Sequence, residues 1–180
     1  GKNSGIISLK WFPDFQEIHL PKLFSSKQLF ARSYDIKMAE KHSTKIIVSS
    51  KSVRNDLKKI NKKAYNKSLI FKHVNEILKP ENLKNFGYLK KKYAIKKKYF
   101  FLPNHFWKHK NHIVVLKALN HLKKKIDFEI IASGNSTDYR FPEHFNYLNG
   151  YIKEKKLKKS FKILGVLPFN EVLSLMKHSI

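Results

Sequence analysis

The chain has 180 residues, 42% hydrophobic and 13% aromatic, so it has enough apolar side chains for a core and is not a disordered segment. It contains no cysteine, which excludes disulfide bonds, and no apolar run near the roughly 20 residues of a membrane-spanning helix. Its formal net charge is +25, but only three of the 38 basic residues are arginine, the residue best suited to reading bases. We interpret the lysine excess mainly as solvated surface, with nucleic-acid binding and contact with an anionic membrane surface as alternatives.

Short β-rich apolar runs alternate with longer amphipathic stretches along the chain. The runs predict strands at residues 6–9, 45–48, 69–73, 99–102, 128–132 and 161–164. The stretches between them predict helices at residues 26–42, 52–61, 81–93, 112–124, 143–156 and 170–177. This alternation predicts an α/β fold with parallel sheets flanked by helices.

A dense polar and aromatic segment, residues 11–21, follows the first predicted strand. Its two prolines limit regular structure, so it is predicted as a loop. Asp14, Gln16 and His19 could hydrogen-bond hydroxyl groups or exchange protons. The alternative is an ordinary surface loop whose polar side chains satisfy the backbone.

Residues 76–98 are rich in lysine and contain Pro80 and Gly87, which predicts a join between two domains. The flanking parts, 1–75 and 99–180, have a similar strand–helix organisation. The first residue is not Met and no apolar signal segment follows it, so we expect the chain to be a piece of a longer protein.

Each predicted strand of the second half ends in a candidate binding loop. Ligands of open parallel sheets bind outside the carboxyl ends of the strands. Lys110 precedes the apolar pattern of a helix, where free N–H groups and the helix dipole favour phosphate. Gly134 and Gly165 follow the next two strands and would let a ligand approach the backbone, with ordinary turns as the alternative.

Three histidines, His105, His109 and His112, lie close together in the loop before that helix. Zinc sites use closely spaced histidines, but no cysteine or carboxylate accompanies these three. We therefore expect polar loop histidines and no metal at this segment.

Four segments together resemble a bacterial subgroup of the group 1 (family 4) glycosyltransferases. They are Trp11-x-Pro-Asp-Phe-Gln-x-x-His-Leu-Pro, Ile46-Ile47-Val48-Ser49-Ser50 with Val53 and Asp56, Pro103-Asn104-x-Phe106-Trp107-x-His109-Lys110-Asn111-His112, and Leu164-Gly165. The first and third segments are the more specific. The resemblance spans nearly the whole chain.

This resemblance implies a GT-B fold, in which two Rossmann-like domains hold the acceptor and the nucleotide sugar. Residues 1–75 would be the C-terminal part of the acceptor domain, 76–98 the interdomain linker or helix, and 99–180 the N-terminal part of the nucleotide-sugar-binding domain. The implied reaction is retaining transfer from a nucleotide-sugar donor to a glycan or lipid-linked acceptor, without a metal or other cofactor. The implied location is cytoplasmic, including the periphery of the inner membrane face.

The resemblance also implies which residues bind the donor. Lys110 matches the family's diphosphate-binding lysine, and Asn104 stands where the family carries an arginine. Because an amide cannot neutralise charge, Lys110 and the helix end would then carry more of that task. Asn111 joins this diphosphate set, and Gly134 and Gly165 belong to the donor nucleotide loops.

On the acceptor side, His19 matches a histidine near the transferred sugar. His19 and Asp14 are the predicted catalytic residues, and Trp11 and Gln16 are predicted to contact the acceptor.

The family's glycine-rich loop would precede residue 1, and its paired glutamates would follow Ile180. We therefore expect the 180-residue chain alone to be inactive. Two other hypotheses are a basic nucleic-acid-binding module and a catalytically inactive truncated remnant. The first predicts lysines and aromatics on one face, whereas most aromatics fall at core spacing, so no specific nucleic-acid partner is expected.

Overall fold

The computed structural model describes residues 5–74, 82–122 and 127–180. The chain divides into two compact units, Gly1–Glu76 and Ile77–Ile180. The ends of two predicted helices (residues 81 and 123–124) and the start of the predicted linker (residues 76–81) lie outside the described residues.

The first unit contains a three-stranded parallel sheet with the order β1–β2–β3. Its elements are β1 (Leu9–Phe12), α1 (Gln16–His19), a 3₁₀ turn (Pro21–Leu23), α2 (Ser26–His42), β2 (Lys45–Val48), α3 (Lys51–Ile60), α4 (Lys62–Asn66) and β3 (Ser68–Ile70). Ile46 and Val48 of the middle strand are fully buried, as are Leu57 of α3 and Ala64 of α4. The helices therefore cover the sheet through one apolar cluster.

Local hydrogen bonds fix where α2 and α3 begin. The Ser25 hydroxyl accepts a hydrogen bond from the Gln28 N–H, and the Gln28 side chain accepts one from the Ser25 N–H. This capping box explains why α2 begins at Ser26, as the sequence predicts. The Ser50 hydroxyl caps α3 by accepting a hydrogen bond from the Val53 N–H at 3.2 Å.

The first strand lies three residues later than the sequence predicts, so the prediction of a strand at 6–9 is wrong. The parallel register with β2 runs from Leu9 to Phe12. Phe12 enters the core with 8% of its surface exposed, whereas Ile6 and Ile7 are 71% and 74% exposed. The apolar run at 6–9 therefore does not mark the part of the chain that pairs with β2.

The prediction of one continuous loop at residues 11–21 is also wrong. Trp11 belongs to β1, and Gln16–His19 form the short helix α1. The 3₁₀ turn then begins at Pro21. Proline is compatible with this position because the first residue of a helical turn needs no backbone N–H partner.

The second unit contains another three-stranded parallel sheet, with the order β4–β5–β6. Its elements are α5 (Phe86–Lys92), β4 (Lys98–Pro103), a 3₁₀ turn (Lys108–Lys110), α6 (His112–Leu122), β5 (Phe128–Ser133), α7 (His144–Glu154), β6 (Phe161–Ile163) and α8 (Phe169–Lys177). Leu116 of α6, Leu148 of α7 and Phe161 of β6 belong to one buried cluster. Parallel strands joined by helices thus form this unit as well, and the predicted α/β class with parallel sheets is confirmed.

A buried carboxylate joins α5 to α8. Glu171 is 5% exposed and accepts a hydrogen bond from the Lys92 ammonium at 2.9 Å and another from the Tyr93 hydroxyl. Residues 86–92 of the predicted linker therefore form a helix that packs within the second unit.

Within the described residues, no helix combines the length and apolarity needed to cross a membrane.

Removing a core side chain should destabilise the second unit. Leu116 is fully buried, so Leu116→Ala should lower the free energy of unfolding by about 2–5 kcal/mol through lost burial and a residual cavity. Val114 lies on the same helix but is 54% exposed, so Val114→Ala should change that free energy by only about 0.5 kcal/mol. The measurement is urea unfolding followed by Trp107 fluorescence in a Trp11→Phe background. Equal effects of the two substitutions would contradict this packing.

Candidate functional site

The loops at the carboxyl ends of β4, β5 and β6 are joined by backbone hydrogen bonds. The Phe106 N–H donates to the Asn135 carbonyl at 2.9 Å, and the Gly134 N–H donates to the Gly165 carbonyl at 2.8 Å. We call residues 104–111, 134–138 and 165 the carboxyl edge of the second sheet. This edge brings together the five residues that the sequence predicts for donor binding.

Gly134 allows the closest approach within this edge. A Cβ atom at position 134 would lie 2.4 Å from the Asn104 carbonyl oxygen, and the glycine φ is 147°. Both conditions exclude a side chain. Gly165 differs because its φ is 72° but open space surrounds the position of a Cβ atom, so it is needed for its backbone conformation alone.

Side chains hold the loop after β4 against the loop after β5. The Asn135 N–H donates to His105 Nδ1 at 3.0 Å, so this nitrogen is an acceptor. The Trp107 indole N–H donates to the Thr137 carbonyl at 3.1 Å. These contacts give the aromatic residues of the predicted binding loop a structural role.

Asp138 is a structural centre of the edge that sequence reasoning missed. It is 1% exposed and accepts hydrogen bonds from the Lys108 N–H at 2.9 Å and the Arg140 N–H at 3.1 Å. The Arg140 guanidinium in turn donates to His109 Nδ1 at 3.1 Å. The signal that could have indicated it is that Asp138 is the first carboxylate after β5.

Lys110 and Asn111 connect the 3₁₀ turn to α6. Lys110 ends the turn two residues before α6, is exposed, and has no ion pair in the described part of the chain. Asn111 adopts a left-handed conformation with φ 56° and ψ 39°, which asparagine tolerates better than most residues. The exposed Lys110 ammonium thus lies two residues before α6, whose first N–H groups have no partner within the helix. Together these groups favour the binding of an anion.

His112 begins α6 and is 2% exposed. Its ring stacks on that of Phe106, with the two ring centroids 4.6 Å apart. Burial, reinforced by the nearby charges of His144 and Lys110, lowers the pKa of His112 to about 4, so this ring is neutral at pH 7. Residues 5–74, 82–122 and 127–180 contain no group of three potential metal ligands. His105 and His109 instead accept the hydrogen bonds described above.

In the first unit, His19 pairs with a buried carboxylate. Its Nε2 lies 2.8 Å from Oδ2 of Asp56, whose side chain is 10% exposed, whereas the His19 side chain is 58% exposed. The His19 hydrogen bond holds the pKa of Asp56 below its usual value, against the opposite effect of burial. Asp56 appears in a sequence motif, but nothing in the sequence indicates its partner.

The other predicted acceptor-side residues have different partners. The Gln16 amide donates to Asp14 Oδ2 at 3.1 Å, so the two predicted catalytic residues, Asp14 and His19, are not paired with each other. Trp11 is 51% exposed. Trp11 and Asp14 line a cleft of about 310 Å³, together with Glu17, Arg32 and Asp35.

No family model matches the chain, and no curated protein matches it by sequence. Among solved structures, HepE of Anabaena in complex with UDP and glucose matches with a TM-score of 0.70 and 15% identity over 88% of this chain and 41% of that one. The HepE complex with UDP-glucose matches with a TM-score of 0.70 and 14% identity, over 89% of this chain and 42% of HepE. A glycosyltransferase from Rickettsia africae matches with a TM-score of 0.64 and 20% identity, over 95% of this chain and 43% of that one.

The chain therefore spans less than half the length of these similar structures. At this level of identity the likeness establishes the fold: two partial Rossmann-like units of the kind found in a glycosyltransferase.

The close approach at Gly134 predicts opposite effects for two glycine substitutions. Gly134→Ala should destabilise the second unit by about 2–4 kcal/mol, because the new methyl group meets the Asn104 carbonyl in a strained backbone conformation. Gly150 lies inside α7 with open space around it, so Gly150→Ala should stabilise the unit by about 0.5–1 kcal/mol. Urea unfolding followed by Trp107 fluorescence, in the same Trp11→Phe background, measures both. A Gly134→Ala protein as stable as the wild type would exclude the contact.

Proposed function

We propose that this chain is part of a nucleotide-sugar-dependent glycosyltransferase. The carboxyl edge of the second sheet would bind the diphosphate of the donor, and the first unit would bind a glycan or lipid-linked acceptor. The observation that carries the proposal is the position of Lys110 and Asn111 directly before α6, at an edge where the loop after β4 packs closely against Gly134 and where open space surrounds Gly165. Similar structures that hold UDP or UDP-glucose support a nucleotide-sugar donor.

The chemistry of the edge suits a leaving diphosphate. Cleavage of the bond between sugar and diphosphate leaves negative charge on the diphosphate oxygens, which an ammonium and helical N–H groups stabilise. Asn104 stands where the resemblance leads us to expect an arginine, so Lys110 and α6 would carry the charge. Retention at the anomeric carbon and independence of metal belong to the same proposal and rest on the resemblance.

The first unit would supply the acceptor side. Trp11 offers an exposed aromatic surface, and Asp14 and Gln16 offer hydrogen-bonding groups beside it. His19 presents an exposed imidazole after the end of β1. Sugars are bound by such combinations of aromatic surface and planar polar groups.

Loss of the Lys110 charge should weaken nucleoside diphosphate binding. A charge-assisted hydrogen bond contributes about 1.5–3 kcal/mol, so Lys110→Ala should raise the Kd for UDP about 10- to 100-fold. Lys117→Ala is the matched control because it removes the same charge from an exposed position farther along α6. Isothermal titration calorimetry of the 180-residue chain measures both. The assignment fails if UDP does not bind the wild-type chain, or if the two variants bind it equally.

We also propose that the outer face of α2, formed by Lys27, Phe30, Tyr34, Lys37 and Lys41, contacts an anionic membrane surface. Phe30 and Tyr34 are 72% and 56% exposed, and their stacked rings have centroids 6.4 Å apart. The three lysines are exposed beside them. Lysines on one side of a helix with exposed aromatics among them suit the interface of an anionic bilayer.

Vesicle co-sedimentation tests this face. Each lysine near an anionic surface contributes about 1 kcal/mol, so Lys27→Gln/Lys37→Gln/Lys41→Gln should lower partitioning onto phosphatidylglycerol vesicles about 100-fold. Phe30→Ser/Tyr34→Ser should lower it as well, and pure phosphatidylcholine vesicles should bind weakly. Lys51→Gln/Lys62→Gln/Lys63→Gln is a control with the same charge change in the same unit. Equal losses in the two triple variants would show nonspecific charge attraction only.

A further inference from the structure

Asp56 is a buried carboxylate in the middle of α3, and its main partner comes from a different element. Removing a carboxylate from water is costly unless a donor satisfies it. Its Oδ2 lies 2.8 Å from His19 Nε2, and its Oδ1 lies 3.4 Å from the ammonium of Lys59, which is 68% exposed. The shorter contact is with His19, 37 residues away in the chain.

The protonation state of Asp56 decides which atom of His19 carries the proton. The pKa of Asp56 is lowered, mainly by the hydrogen bond from His19, so the carboxylate is ionised at pH 7. An ionised carboxylate can only accept hydrogen bonds. The hydrogen on this contact therefore belongs to Nε2 of His19, and in the neutral imidazole Nδ1 carries a lone pair.

The free edge of the ring is open to a ligand. The His19 side chain is 58% exposed, and its Nδ1 has no hydrogen-bond partner in the described part of the chain. His19 ends α1, the short helix that follows the carboxyl end of β1. In parallel sheets this is the end at which ligands bind.

We propose that Asp56 is a positioning residue, which holds His19 so that Nδ1 accepts a hydrogen bond from a hydroxyl group of the acceptor. This inference rests on the proposed acceptor site in the first unit and adds what that site recognises. A lone pair at Nδ1 selects a group that donates, such as a sugar hydroxyl, over a carbonyl or an ether oxygen. A polyhydroxylated acceptor fits this requirement.

A purely structural role is the competing explanation, in which the pair only fastens α1 to α3. Two substitutions of His19 separate the roles, because the glutamine amide reaches the position of Nε2 and the asparagine amide that of Nδ1. His19→Gln should keep the contact with Asp56, and therefore the stability of the first unit, but remove the acceptor at Nδ1. His19→Asn should lose the contact with Asp56.

The first arm of the test is spectroscopic and needs no activity. Nitrogen-15 NMR of the 180-residue chain, at a pH where His19 is neutral, should show a proton on Nε2 and a bare Nδ1. The Nε2 proton should exchange slowly with water because it is bonded to a carboxylate. In Asp56→Asn this protection should fall at least about tenfold, since an amide is a weaker acceptor than a carboxylate. A proton on Nδ1, or equal exchange in the two proteins, overturns the inference.

The second arm measures sugar transfer by the protein expressed from its complete gene. Asp56→Asn and His19→Gln should each lower kcat/KM for the acceptor about tenfold or more, with the Kd of the donor unchanged. Glu40→Gln, on α2 of the same unit, is the charge-matched control and should leave the kinetics unchanged. If His19→Gln keeps the wild-type kcat/KM for the acceptor, the pair has only a structural role, and the inference is overturned. Absence of transfer by the wild type would refute the proposed function, while the NMR arm still decides whether Asp56 fixes the ring.

Discussion

The contact between the Asn104 carbonyl and Gly134 is the constraint on which the second unit's edge depends. The Cβ position of residue 134 lies 2.4 Å from that carbonyl oxygen, so the loop after β4 reaches its place only because the residue that follows β5 is glycine. The hydrogen bonds from the Gly134 N–H to Gly165 and from the Phe106 N–H to Asn135 extend the same connection across three strand ends. The segment that presents Lys110 and Asn111 is therefore held by backbone contacts, and the Lys110 side chain is left exposed.

Buried carboxylates organise the polar groups of both units. In the second unit, Asp138 accepts two backbone N–H groups and so fixes the turn that begins at Lys108. In the first unit, Asp56 binds one edge of the His19 ring and leaves the other edge exposed. In a chain with 38 basic residues and 13 acidic ones, such carboxylates are satisfied locally. The excess lysine is then left mostly on the surface, as the composition suggested.

The sequence predicts the architecture well where periodicity and capping agree. Strand β2 and helix α2 have the predicted bounds, because an apolar run and the Ser25–Gln28 capping box mark them locally. The first strand is misplaced because Ile6 and Ile7 are apolar but exposed, and only pairing with β2 sets the register. Apolar character alone cannot distinguish these cases.

The candidate site was predictable only in part. Lys110 and Gly134 were identified from their places after strands and before a helix, and the structure shows them on one edge. The pairing of His19 with Asp56 and the burial of Asp138 were not predictable, because both depend on contacts between residues 30 or more apart. The sequence indicates which residue types are available, whereas tertiary packing decides which of them meet.

We propose that the carboxyl edge of the second sheet binds the diphosphate of a nucleotide sugar. This proposal can be tested by mapping the amide chemical shifts of the nitrogen-15-labelled chain during titration with a nucleoside diphosphate. We expect shifts concentrated at residues 104–111, 134–138 and 165, with saturation at a single affinity. Shifts confined to the first unit, or spread over the lysine-rich surface without saturation, would contradict it.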